Sequence, residues 1–117
     1  MKLDSVIFYS NNLVKSKDFY QNILNLKLKT DSDNFISFAL DNNVLLGIKL
    51  YISTRDKTPG QQSLSFSVND IQNVYTKLKS QLDIIFIKEL TKNSWGYEFA
   101  VLDPDGNKIM FINRVGE

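Results

Sequence analysis

Apolar positions along the chain follow two periods, and each switch of period marks a new element. Residues 3–10 are rich in Val, Ile, Phe and Tyr and stop at Asn11-Asn12, the pattern of a strand. Leu13, Val14, Ser16, Phe19, Tyr20, Ile23 and Leu24 then recur at spacings of three and four, which predicts a helix capped by Asn11 or Asn12. After a turn at Asn25, residues 26–30, 35–40 and 44–52 read as strands, with turns at Asp31-Ser32-Asp33-Asn34 and Asp41-Asn42-Asn43. A polar stretch carrying Pro59-Gly60, residues 53–62, reads as a connector. The order then begins again. Residues 63–68 predict a strand, Asn69-Asp70 a cap, and Ile71, Val74, Tyr75, Leu78 and Leu82 a helical stripe, followed by strands at 84–90 (where Ile84-Ile85-Phe86-Ile87 also fits a buried helix), 95–102 and 108–113.

The 117-residue chain thus reads βαβββ twice. Setting Ser5 beside Ser63 aligns Asn11-Asn12-Leu13 with Asn69-Asp70-Ile71. One such unit leaves a sheet face uncovered and is marginal alone, whereas two packed together bury that face. The expected architecture is α+β: a single domain over residues 1–117, built from modules at about 1–52 and 63–117 that form a curved mixed-sheet cleft.

Composition narrows the chemistry more than the fold. The chain contains no cysteine and no histidine, which excludes disulfides, thiolate or imidazole metal ligands, thiol nucleophiles and any Ser-His-Asp triad. Carboxylate, Lys or Tyr chemistry, or plain binding, remains. Fourteen basic residues against 13 acidic ones give a net charge of +1, so no global field draws in nucleic acid or an anionic membrane. No apolar run reaches the roughly 18 residues of a membrane span, and the first residues lack a signal peptide's long apolar stretch. A cytoplasmic protein with neither a nucleic-acid nor a membrane partner is the expectation.

Within the repeated order, three segments are specific enough to compare with a known family. "SVIFYSNNLVKSKDFYQNILNLKLK", with Ser16 and Phe19-Tyr20 on its helix, resembles the first module of the vicinal oxygen chelate superfamily, which comprises the glyoxalase, bleomycin-resistance and dioxygenase proteins. "SLSFSVNDIQNVYTKLK" resembles the opening of its second module. "WGYEFAVLDPDGNKIMF" resembles its closing hairpin, with Asp103-Pro104-Asp105-Gly106-Asn107 as the most specific part. That turn also has a local reason: Pro104 presets φ, Gly106 accepts positive φ, and the Asp and Asn side chains bond nearby backbone.

The resemblance marks positions for inspection. Metal-dependent members carry His, Gln or Glu ligands on one position of each of four strands, and these match Ser5, Ser63, Met110 and, by aligning Asn43 with Asn107, Leu46 here. None is a ligand for a divalent ion. The expectation is therefore no metal and no cofactor, and a small, apolar, uncharged site. This is similar to the metal-free branch of the superfamily, which includes proteins that sequester an antibiotic unaltered. A hydrophobic or aromatic small molecule is the expected partner, held by burial and stacking.

Trp95 is the leading candidate platform for such a ligand, and packing on a core edge or a neighbouring subunit is its structural alternative. Phe35, Phe38, Tyr51, Phe86 and Phe99 are further candidates, although about half of strand aromatics face a helix and belong to the core. Phe8, Phe19, Tyr20 and Phe66 read as core. Glu98 reads as a solvated strand charge, as do Lys49 and Arg114, and near-neutral charge argues against bleomycin itself. Three roles stay open: a binding protein, a metal-free enzyme using groups such as Tyr9, Tyr51, Glu89, Tyr97 or Glu98, and a partner domain with a vestigial cleft. A homodimer is expected, because an open sheet face rich in Phe and Ile favours pairing.

Overall fold

Asn12 ends the first strand and starts the first helix. Its side chain accepts from the Lys15 N–H at 3.1 Å, while its own N–H donates to Ser10 Oγ at 3.0 Å. Asp70 caps the second helix in the same way through the Asn73 N–H at 3.3 Å. These are the two positions that the internal alignment pairs. The computed structural model describes residues 1–52 and 58–115, so residues 53–57 of the expected connector lie outside the described residues. The chain forms two compact units, Met1–Gln61 and Gln62–Glu117.

The first unit runs β1 (Ser5–Ser10), α1 (Leu13–Lys17), β2 (Lys27–Asp31), β3 (Phe35–Ala39) and β4 (Leu45–Leu50). Its sheet order is β1-β4-β3-β2, with β1 parallel to β4 and the other pairs antiparallel. The helix expected over residues 13–24 changes character half-way: α1 continues as a π-helix over Asp18–Ile23. The wider turns are visible in the bonds from Leu24 N to Phe19 O and from Leu26 N to Tyr20 O, both 2.9 Å, and Asn25 leaves the helix with φ 61°. The helical segment covers one sheet face. Phe8, Ile36, Phe38, Leu46 and Ile48 are buried there with Phe19 and Tyr20, whose rings meet edge-on at 4.9 Å.

The second unit runs β5 (Ser63–Ser67), α2 (Ile71–Lys79), β6 (Ile85–Asn93), β7 (Gly96–Leu102) and β8 (Lys108–Arg114), in the sheet order β5-β8-β7-β6. Its pairing repeats that of the first, parallel for β5-β8 and antiparallel elsewhere. Ile71 and Leu78 of α2 are buried, as are Phe99, Val101, Ile109 and Phe111 of the sheet. Phe99 and Phe111 stack at 4.8 Å. No described helix is long and apolar enough to cross a membrane.

The Asp103–Asn107 turn holds β5 as well as the β7-β8 hairpin. Asp103 Oδ1 accepts from the N–H groups of Asp105 and Asn107 at 3.0 and 2.8 Å, and Asn107 Nδ2 donates to Asp103 Oδ2 at 2.9 Å. Asn107 Oδ1 accepts from the Gln62 N–H at 3.1 Å, and the Lys108 N–H donates to Gln62 O at 2.9 Å. Both side chains are buried. The motif that identified the fold by resemblance is therefore a structural latch.

Candidate functional site

Each sheet has one face against its helix and a far face, and strand register assigns every candidate to one of them. In the first unit, β1-β4 pairing places Ser5, Ile7 and Tyr9 on the far face with Leu45, Gly47 and Lys49. The β3-β4 register adds Phe35, Ser37 and Ala39. Phe38 and Leu46 belong to the helix face and are fully buried, Phe38 with its ring centroid 5.8 Å from that of Tyr20. These two expectations are corrected: both residues are core.

The Leu46 correction moves the marked position by one residue. Met110 pairs with Ser65, two beyond Ser63; the equivalent partner of Ile7, two beyond Ser5, is Gly47. The four marked positions are thus Ser5, Gly47, Ser63 and Met110. Gly47 is also crowded. A Cβ built there would lie 2.7 Å from Ile7 Cδ1 and 2.8 Å from Phe35 Cε1 and Cζ. The Phe35 ring occupies the space that a side chain at position 47 would need. Tyr51 follows β4, half-buried, with its N–H bonded to Ser10 O at 2.8 Å.

In the second unit, Phe99 is fully buried on the helix face. Phe86, paired with Val101, lies beside Tyr75 of α2 with ring centroids 5.5 Å apart. Both are corrected to helix-side packing. Ser63 and Met110 are on the far face, as are Ser65, Ala100, Glu98 and Ile112. Arg114, paired with Gly96, continues that row.

Trp95 does not open a strand as its pattern suggested. It sits half-buried in the two-residue turn between β6 and β7, where Asn93 Oδ1 accepts from the Trp95 and Gly96 N–H groups at 3.1 and 3.0 Å. Gly96 is required here: its φ is +150°, and a Cβ would come within 2.0 Å of Asn113 O. The Arg114 guanidinium lies 5.1 Å from the centroid of the Trp95 ring. Trp95 is therefore a cation-facing aromatic at one end of the far face.

Two carboxylates of β6 and β7 show how differently the two faces treat charge. On the helix side, Glu89 accepts from Lys79 Nζ at 2.7 Å and from the Tyr75 hydroxyl. These bonds hold the Glu89 carboxyl below the usual carboxylate range. The bond to Glu89 raises both Lys79 and the Tyr75 phenol. This cluster is solvent-exposed and clamps α2 to β6. On the far face stands Glu98, only 7% exposed and paired with Lys88. Reading Glu98 as a solvated charge is thus corrected, and its burial is the feature that sequence reasoning missed. Among the described residues, no group of three or more His, Cys, Asp or Glu could hold a metal ion.

With this geometry in place, comparison with known proteins becomes informative. The family model for the glyoxalase-like domain matches residues 3–115. The chain belongs to the glyoxalase-like domain family. Among solved structures it is similar to TnmS3, an antibiotic binding protein from Streptomyces sp. CB03234. The TM-score is 0.83 at 19% identity, over 97% of this chain and 96% of that one. A member of the glyoxalase/bleomycin resistance protein/dioxygenase superfamily from Sphaerobacter thermophilus DSM 20745 gives 0.81 at 21% identity, over 97% and 98%. A lactoylglutathione lyase from Agrobacterium tumefaciens gives 0.78 at 16%, over 96% and 92%. No curated protein matches by sequence. An antibiotic binding protein and a lyase both stand among these neighbours, so the likenesses establish the α+β glyoxalase fold of the domain and leave its activity to the residues.

Proposed function

We propose that this protein binds a planar aromatic or hydrophobic small molecule on the far faces of its sheets, without a metal ion and without altering the ligand. The observation that carries this reading is Gly47. Where a carboxylate or imidazole would be needed for a metal, the chain has a glycine overlaid by Phe35, together with Ser5, Ser63 and Met110 at the other marked positions. Hydroxyl, thioether and no side chain at all form a donor set that does not fit a divalent ion. On the first sheet, the Phe35 ring over Gly47 offers an apolar surface suited to stacking. Structural likeness to an antibiotic binding protein supports the ligand class.

The titratable groups give an enzyme no comparable support. Glu89 is committed to Lys79 and Tyr75 on the helix side, away from Glu98 across the sheet. The working form we propose is a homodimer, supported by the edge strand β6, which exposes Ile85 and Ile87 at 60% and 47%.

Trp95 emission tests the binding reading. Titration with planar antibiotics and aromatic metabolites is expected to give saturable quenching by one class, lost in a folded Trp95→Ala variant when binding is followed by calorimetry. Absence of any saturable response would transfer support to the partner-domain reading.

A further inference from the structure

The Glu98 carboxylate on the far face of the second sheet is only half used. Glu98 lies on the inner strand β7, between Ile112 of β8 and Thr91 of β6 in register. It is nearly buried, and Lys88 Nζ binds Oε1. Among the described residues no group donates to Oε2. An ionised carboxylate offers about four acceptor sites, and burying it is costly unless they are filled. Lys88 is a loose partner, with 45% of its side chain exposed on the edge strand.

The backbone has been bent to create this pair. The register of β6 against β7 shifts between Phe86 and Lys88, and again between Lys88 and Thr91. Two residues apart on a regular strand, Phe86 and Lys88 would share a face. The first bulge separates them, leaving Phe86 against α2 and turning Lys88 to the far face beside Ala100. Trp95 and its Arg114 partner lie one strand repeat away, since Gly96 is two residues from Glu98, about 7 Å along β7. The Trp95 turn therefore adjoins the end of β7 from which the half-satisfied carboxylate is two residues removed.

From this we infer that Glu98 is the polar anchor of the ligand, and that the ligand is an aromatic compound carrying a protonated amine. The amine donates to Oε2 of Glu98, and the Lys88 ammonium, already half in water, moves aside or shares the carboxylate. The aromatic body then lies toward Trp95. This specificity rests on the binding function proposed above and adds the chemistry that selects among aromatic ligands.

The test uses the intact protein and three matched probes: 2-naphthylmethylamine, 2-naphthalenemethanol and 2-naphthoate. Binding is followed by Trp95 emission and by calorimetry. The wild type is expected to prefer the amine over the alcohol by roughly tenfold or more, the size of a charge-assisted hydrogen bond. Glu98→Gln, nearly isosteric, should bring that ratio close to one by weakening the amine far more than the alcohol. Lys88→Met, which removes the competing ammonium, should widen the preference for the amine. Equal affinity for amine and alcohol in the wild type, or an amine preference that survives Glu98→Gln, would overturn the anchor role and leave the binding function standing. Failure of the wild type to bind any of the three, or any broader aromatic panel, would overturn both.

Discussion

Phe35 lies over Gly47. A Cβ on Gly47 would approach the Phe35 ring to 2.8 Å, closer than carbon atoms pack, so the ring as it lies leaves room only for glycine at 47. The far face of the first sheet thus carries an aromatic ring over one of the positions that the family resemblance marks. Gly47→Ala is therefore expected to cost about 1–3 kcal/mol through overpacking. Urea unfolding should show this, and the combined change Gly47→Ala with Phe35→Leu should recover part of it. A Gly47→Ala variant of unchanged stability would mean that the ring moves aside freely.

Asn107 predicts a purely structural effect. Its amide joins Asp103 on one side and the Gln62 N–H on the other, fixing β5 against β8. Asn107→Ala removes the bonds from its amide to Asp103 Oδ2 and to the Gln62 N–H, at about 1–3 kcal/mol in all. A fall of the thermal midpoint with no change of ligand preference is the expected signature.

The Trp95–Arg114 pair predicts a spectroscopic effect with little energetic one. An exposed cation–π contact contributes about 0.5–1 kcal/mol, so Arg114→Ala should barely alter stability. Uncovering the ring should increase iodide quenching of the single Trp. Unchanged quenching would place the accessible part of the indole away from Arg114.

Stability against pH should report the Glu89 clamp. Its carboxyl titrates lower in the folded protein because Lys79 and Tyr75 bond the ionised form. The stabilisation is therefore present above the unfolded carboxylate value, about 4.3, and is lost as pH falls through the lower folded value. Lys79 runs the other way: its folded value is raised, so its contribution holds below about 10.4 and is lost as pH rises beyond that. Glu89→Gln is expected to flatten both limbs of a plot of unfolding midpoint against pH. The cluster is exposed, so the change is small.

Much of this was legible before any coordinates. Asn12 and Asp70 do cap the helices that the repeat assigns to them, and Ser5 and Ser63 do lie at equivalent places in the two sheets. The failures came from events of a single residue. The turn before β4 folds as a 3₁₀ segment with Asn42 and Asn43 in left-handed conformation, so aligning Asn43 with Asn107 slipped the register by one. In a strand a slip of one exchanges the faces, which turned Gly47 into Leu46. Phe38 and Phe99 could not be oriented without knowing which parity met the helix, and the bulges that part Phe86 from Lys88 have no composition signal. Glu98 was misread for a related reason. Between Tyr97 and Phe99 a carboxylate looks like the polar half of an alternating strand, and only the structure shows that this side chain is nearly buried beside Lys88.

The most direct test of metal-free binding compares one aromatic ligand, chosen from those that quench Trp95, against protein stripped with EDTA and protein supplied in turn with zinc, nickel and manganese. By isothermal calorimetry, saturable ligand uptake of unchanged affinity is expected in every sample, with no specific heat when each metal is added alone. Ligand binding that appears only with a metal present, or stoichiometric metal uptake in the micromolar range, would contradict metal-free binding.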